Sequence, residues 1–542
     1  ADFNGDGALD IYAVVATGDD QLFLGTPGAP WQFVSHAVNT VATEETSATA
    51  ADLDGDGDPD LVIGADGMLV LRNDGPDATH GVAWTDVTDL AGLGDTKGHP
   101  LFGVAVGDVD RDGWLDLLIA SNKFEKPPPW KGTWPPKTFP SRLLRGKGGM
   151  QFEDVSSVLP QPNGWGPSYI SALLDLDDDG DLDVYMTYDF GKVFNPNQIY
   201  RNDTAGPGAP LQFKNVTALS GADIANAPMG LGWGDFDRDG RMDIYITGRT
   251  NGNHLLHNDT APGGALQFSD WGSKTGTYKN SDGYVSWAAQ LVDVDNGGLL
   301  DIYVANGKLF GQTFGGPGGG GSQFSDQQKD AQSDQLWRQT APGVFTEVGG
   351  LSGLSATGLK RTVQRADFDR NGFVDLVVGS VFGPSQLYRN GCNDAAWLTV
   401  RLLGKGHNTA AIGARVRVTA GGVVFTQDID AGSTGLWGSS EPRAFFGLGA
   451  YTYAIAMFNI GESTLPIYED LNAESAWDAF ALDDERMIAR GLQRIGQVAK
   501  DALRAVMDGR HLAVHDLFRM HDLAAEGLAD VAEREARDEF LA

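Results

Sequence analysis

Short apolar, β-branched runs recur along the chain, and each opens on an aspartate. They read DIYAV from Asp10, DLVIG from Asp60, DLLIA from Asp116, DVYMT from Asp183, DIYIT from Asp243, DIYVA from Asp301 and DLVVG from Asp375. Runs of this length and composition, bounded by turn residues, predict strands. An apolar segment such as LFGVAVG or MGLGWG precedes most of them. A third piece follows, in forms such as LVLRNDG, QIYRNDTAG, LLHNDTAPGG and QLYRNG, and usually a fourth such as WTDVTDLAGL or VFTEVGGL. The pattern therefore predicts four strands per unit and seven units, spaced about 50 to 75 residues apart. A repeat of that period points to a propeller or a solenoid, and four-stranded units closed into a ring are propeller blades. The expected fold is mainly β: a seven-bladed β-propeller over residues 1–395, a small β domain over 396–464 and a C-terminal α-helical hairpin within 465–542. Only Ala1 stands before the first aspartate, and about 20 residues separate the seventh turn from the second domain. The ring is thus expected to be completed either by AWLTVRLLG, from Ala396, or by a segment upstream of Ala1.

The turn between the first and second strand of each unit follows D-x-[DN]-x-[DN]-G-x-x-D. Side-chain oxygens at positions 1, 3, 5 and 9 and the carbonyl at 7 supply five or six oxygen donors, the coordination that Ca²⁺ takes at roughly 2.3–2.6 Å. Glycine at position 6 supplies the reversal. The candidate ligands are Asp2, Asn4, Asp6, Ala8 and Asp10; Asp52, Asp54, Asp56, Asp58 and Asp60; Asp108, Asp110, Asp112, Trp114 and Asp116; Asp175, Asp177, Asp179, Asp181 and Asp183; Asp235, Asp237, Asp239, Arg241 and Asp243; Asp293, Asp295 and Asp301; and Asp367, Asp369, Asn371, Phe373 and Asp375. Up to seven Ca²⁺ ions are expected. The site at Asp293 is the weakest, because Gly297 removes a carboxylate. Position 12 is not glutamate in any copy, and a strand rather than a helix follows, so these are not EF-hands. The alternative is a set of solvated Asp-Gly turns. Seven copies of one spacing weigh against it, since clustered carboxylates repel one another without a cation.

Charge agrees with cation binding. The 542 residues include 73 acidic and 40 basic side chains, for a formal net charge of −33. That balance opposes nucleic-acid binding, which rests on basic residues at the phosphates. No apolar run approaches the length of a membrane span. Cys392 is the only cysteine, so no disulfide framework forms within the chain.

The repeats resemble the FG-GAP or VCBS repeats of integrin α-subunit propellers, and more closely those of the cartilage acidic protein family. Residues 396–450, AWLTVRLLGKGHNTAAIGARVRVTAGGVVFTQDIDAGSTGLWGSSEPRAFFGLGA, resemble the ASPIC/UnbV domain that follows such propellers. The resemblance implies calcium at one face of the ring and a secreted, extracellular or periplasmic location. Independently of it, RVRVTAGGVVFTQDI alternates on both sides of Gly421 and Gly422 and predicts a hairpin.

Three segments depart from the repeat. NKFEKPPPWKGTWPPKTFPSR, from Asn122, is basic and Pro-rich, and places Trp130, Trp134 and Phe139 as a candidate platform for a sugar or peptide. Packing of those rings back on the propeller is the alternative. FGQTFGGPGGGGSQFSDQQKD, from Phe310, has the composition of a linker. Past Asn472, apolar residues from Leu482 to Val531 keep a helical period interrupted at Asp508-Gly509. This tail is expected to dock on a partner protein; His511, His515 and His521 within it offer a transition-metal alternative. Sequons stand at Asn202, Asn215 and Asn258. No standard nucleophile or cofactor motif is present, and catalysis is not expected. The expected function is a calcium-binding adhesion or ligand-binding module for a protein or glycan. The alternatives are an accessory subunit docked through the tail, and a carbohydrate-active lyase or dehydratase.

Overall fold

The computed structural model describes residues 1–467, apart from 122–139, 309–330 and shorter stretches that include 16–18, 41–46, 97–100, 162–165, 279–283, 392–394, 451–453 and 460–463. The Trp130, Trp134 and Phe139 platform, the glycine-rich insertion and the helical tail with its histidines lie outside the described residues.

Seven antiparallel sheets follow one another along the chain and form a seven-bladed β-propeller. The second blade shows the unit: Ser47–Ala51, Asp60–Ala65, Gly67–Asp77 and Gly81–Asp86 pair in sequence order. The third to sixth blades repeat that order, beginning at Leu101–Gly107, Ser171–Leu174, Pro228–Gly234 and Ser286–Val292. These leading strands touch one another across neighbouring blades and line the ring's axis. The second strand of a blade is sandwiched between its neighbours, so Asp60–Ala65, Asp116–Ser121, Asp243–Gly248 and Asp301–Asn306 are buried along their whole length. Burial on both faces explains why the sequence shows continuous apolar runs there instead of alternation. Each fully buried Ile, Val or Leu contributes about 1.5–3 kcal/mol.

The blades are also latched side to side. The asparagine after the basic residue of the third strand sends its amide into the preceding blade: Asn73 to the Phe3 carbonyl, Asn202 to Val109, Asn258 to Leu176 and Asn390 to Val294, each at 2.7–2.8 Å. Gln339 does the same to Phe236 at 3.1 Å. Asn258 is fully buried and Asn202 nearly so, which leaves those two sequons inaccessible in the folded ring; Asn215 is half-buried. Asn258→Ala orphans the buried carbonyls of Leu176 and Met242 and is expected to cost about 1–3 kcal/mol, read by denaturant unfolding.

Among the described residues the first blade has three strands, Ile11–Ala13, Asp20–Gly25 and Phe33–Val38, and the seventh also has three, Lys360–Ala366, Asp375–Ser380 and Gln386–Tyr388. The expectation that AWLTVRLLG completes the ring is not met. Ala396–Gly404 pairs with Ala444–Gly449 and Thr464–Ile467, both outside the propeller. An apolar nine-residue strand suits either setting, and its true partners lie far along the chain. Blades seven and one instead meet through side chains: Arg370 reaches the Gly7 carbonyl, the Trp31 indole N–H donates to Asp369 at 3.2 Å, and Phe33 and Trp31 pack on Phe368.

The second domain sits over the ring's axis. Arg415–Ala420 and Val423–Asp428 form the expected hairpin, with Gly421 and Gly422 at φ +57° and +78° in its two-residue turn. A small hairpin, Ser433–Gly435 with Gly438–Ser439, enters the axis and touches leading strands of several blades. Ile412 and Ala431 join the core shared by the second and third blades, and Phe445 joins that of the sixth and seventh. At the other end of the axis Phe102, Tyr169 and Trp287 meet edge to face, with Arg361 over Trp287 at 3.8 Å.

Candidate metal centres

The seven acidic turns share one local structure, and hydrogen bonding dictates it. The position-1 carboxylate accepts the backbone N–H of position 6 in every turn, from 2.6 Å for Gly298 on Asp293 to 3.2 Å for Gly180 on Asp175. The glycine at position 6 holds φ between +80° and +102°, which a Cβ would resist. The position-5 side chain accepts the N–H of position 7, as in Ala8 on Asp6, Asp58 on Asp56, Trp114 on Asp112, Asp181 on Asp179, Arg241 on Asp239 and Phe373 on Asn371. These bonds draw the carboxylates to one side of the turn.

Oxygens of Asp52, Asp54 and Asp60 lie within 4.8 Å of one another, as do those of Asp108, Asp110 and Asp116, of Asp175, Asp177 and Asp179, and of Asp235, Asp237 and Asp243. One feature tests whether a cation fits. A buried oxygen of the position-3 aspartate accepts no hydrogen bond in five turns: Asp54 Oδ1, Asp110 Oδ2, Asp177 Oδ1, Asp237 Oδ1 and Asp369 Oδ1. A buried, unsatisfied carboxylate oxygen is costly, and the same orphan at the same position five times marks where a cation would supply the missing partner. The donor set is all oxygen, suited to a hard divalent ion.

Position 9 does more than the sequence shows. Its aspartate accepts N–H groups on both oxygens, one from position 2 and one from the third strand; Asp60, for example, receives Leu53 at 2.8 Å and Asn73 at 2.9 Å. Asp116, Asp183, Asp243, Asp301 and Asp375 repeat this pairing, and Asp10 has it with Phe3 and Gly25. The residue both ties the blade together and faces the cluster.

Burial, reinforced by neighbouring carboxylates, raises these groups far above the ordinary carboxylate range. Burial pushes Asp60 up to about 8 and Asp108 and Asp235 to about 7, with Asp301 and Asp375 also near 7 and Asp10 near 6. Without a cation, burial drives these six aspartates toward the protonated form.

The sixth turn differs as the sequence indicates. Gly297 brings only its N–H, 3.0 Å from Asp293 Oδ1 and from Asp295 Oδ1, and Arg338 pairs with Asp295. Gly447 of the second domain lies so close to Asp293 that a Cβ there would overlap the carboxylate.

Position 4 carries signals that sequence spacing did not reveal. Arg111, Asp178, Arg238, Asn296 and Arg370 adopt φ of +53° to +65°, and their side chains reach outward: Arg111 to Asp181, Arg238 to the Gly298 carbonyl, Asn296 to that of Gly372 and Arg370 to that of Gly7. The third and fourth turns, the fifth and sixth, the sixth and seventh, and the seventh and first are thereby joined. The second domain covers this face. His407 stacks on Trp114 at 3.5 Å, Thr409 bonds Asp52, and Arg415 enters the fourth turn, 2.9 Å from Asp178 and 3.6 Å from Asp175, while gripping Asp428 with two bonds of 2.7 and 2.9 Å.

Two family matches fall on the acidic turns and on the small β domain that covers them. The FG-GAP-like repeat family matches residues 2–63, 52–119 and 175–246, and the ASPIC and UnbV family matches residues 404–455, so the chain carries FG-GAP-like repeats followed by an ASPIC/UnbV domain. It is similar to cartilage acidic protein 1 of Mus musculus, 28% identical over 170 residues, and to that of Homo sapiens, 27% identical over 170 residues. The match covers 30% of this chain in each case, and 23% of the mouse and 22% of the human protein, so less than a quarter of either relative is spanned. Among solved structures, an Agrocybe aegerita lectin described as recognising non-reducing terminal N-acetylglucosamine aligns with a TM-score of 0.38 and 18% identity, over 71% of this chain and 90% of the lectin.

Proposed function

We propose that the protein is an extracellular or periplasmic ligand-binding module whose propeller is held by calcium. The observation that carries this is the fivefold repetition of an orphaned, buried oxygen at position 3. Calcium would be held by the carboxylates at positions 1, 3, 5 and 9, and the charge it supplies there neutralises groups that burial otherwise keeps protonated. The turns themselves lie under the second domain, so the cations are structural, and ligand recognition falls to the opposite face. Strand direction supports that division. The insertions after Ser121 and Asn306 both leave the ring at strand ends that point away from the acidic turns, where Phe102, Tyr169 and Trp287 also gather. The ligand is a protein or a glycan, and adhesion is the role this arrangement serves.

Metal analysis after equilibration with millimolar calcium is the test, since extracellular calcium modules bind at about 10⁻⁴–10⁻³ M. Several calcium ions per chain are expected, and Asp110→Asn should lower the count by one while the ring stays folded by circular dichroism. A chain that retains no calcium under those conditions overturns the proposal.

A further inference from the structure

One register position of the third strand decides what stands beside each acidic turn. It is the residue just before the one whose N–H binds the position-9 aspartate, and it is Arg72, Arg145, Arg201, Arg338 and Arg389 in five blades, Leu24 in the first and His257 in the fifth. Where the guanidinium reaches the position-3 carboxylate, as in Arg389 on Asp369 at 2.8 Å or Arg145 on Asp110 at 3.7 Å, it supplies charge but has no lone pair to give a metal. An imidazole has one.

His257 is placed to use it. Its Nε2 lies 3.0 Å from Asp237 Oδ2 and 3.4 Å from Asp239 Oδ2, and the three side chains offer ligand atoms within 4.8 Å of one another. Asp237 Oδ1, on the same carboxylate, is buried and accepts no hydrogen bond. The ring is fixed from outside the cluster: Nδ1 is 2.7 Å from Asp259 Oδ1, the imidazole stacks on Trp271 with centroids 4.2 Å apart and planes 10° apart, and the side chain is 7% exposed. A carboxylate holding the far nitrogen of a histidine is the usual support behind a metal-ligating imidazole, since it sets the tautomer and the aim of the other nitrogen. Mixed nitrogen and carboxylate donors favour first-row ions such as Zn²⁺, Co²⁺ or Mn²⁺ over Ca²⁺, which takes oxygen.

We propose that the fifth acidic turn is a transition-metal site, in which His257 Nε2 joins the Asp237 and Asp239 carboxylates to hold one zinc-class divalent ion. The site stands on these residues alone and does not require calcium at the other turns.

The experiment titrates Co²⁺ into the 542-residue chain, stripped of metals and then kept in excess Ca²⁺, and follows the visible d–d absorption. One Co²⁺ equivalent that calcium does not displace is expected. His257→Arg, which installs the side chain found in five of the other blades, should abolish that absorption and leave calcium stoichiometry elsewhere unchanged. Asp259→Asn should weaken Co²⁺ binding about 10- to 100-fold. Absence of a calcium-resistant Co²⁺ equivalent, or one that persists undiminished in His257→Arg, as it would if the tail histidines held it or if His257 served only as an ion-pair partner, overturns the inference. Loss of calcium binding with the His257-dependent Co²⁺ signal intact would sink the calcium reading and leave this one standing.

Discussion

In metal-free buffer the melting temperature should fall steeply as pH rises from about 5 to about 8, and calcium should reverse the slope. The sign follows from the raised carboxyl groups. Asp60 near 8, Asp108 and Asp235 near 7 and Asp10 near 6 all lie above the ordinary value of 3.8, so the folded chain binds more protons than the unfolded one between these limits. Stability then declines with pH, because each group must ionise in a buried, like-charged setting. A shift of three units is worth about 4 kcal/mol, and two or three such groups approach the ~5–15 kcal/mol that stabilises an ordinary domain. With calcium present the ionised form is the one bound, and each occupied site adds about 2.7 kcal/mol at a hundredfold excess over Kd. Thermal melts at pH 5, 6, 7 and 8 with and without calcium check this. A metal-free curve that is flat or rises with pH would falsify the electrostatic account.

The other large effect lies at Arg415. This guanidinium is almost wholly buried, holds Asp428 with two bonds, and reaches Asp178 and the Asp175 carbonyl in the fourth turn. Arg415→Met strips Asp428 of its guanidinium, while Asp178 keeps Arg417, and breaking a buried pair from one side costs about 3–5 kcal/mol. The second domain should loosen from the ring, read as faster proteolysis near residue 395 and a lowered melting temperature. Arg415→Met with Asp428→Asn removes one stranded charge as well and should recover part of the loss. A single variant as stable and as protease-resistant as the parent would show that the contact holds nothing.

How much of this the sequence displayed depends on the range over which each feature is encoded. The nine-residue turn and the strand after it are local, so the blade pattern and the candidate ligands were legible from spacing. The second duty of Asp60 and its counterparts was not, because their N–H donors come from residues such as Asn73, a whole strand away. The latch asparagines were visible as a recurring RN pair, but their partners lie in another blade. His257 did leave a signal, LLHND where the second and fourth repeats read RND, although only the fold sets its nitrogen against Asp237. Nothing local could place the second domain over the acid turns, since Arg415 and Asp178 are 237 residues apart.

The position-4 links between neighbouring turns have a mechanical consequence. Arg238 on Gly298, Asn296 on Gly372 and Arg370 on Gly7 join the fifth, sixth, seventh and first turns in series. A pull applied to one of these blades is passed along the links, so the four should yield to force together rather than peel away one by one.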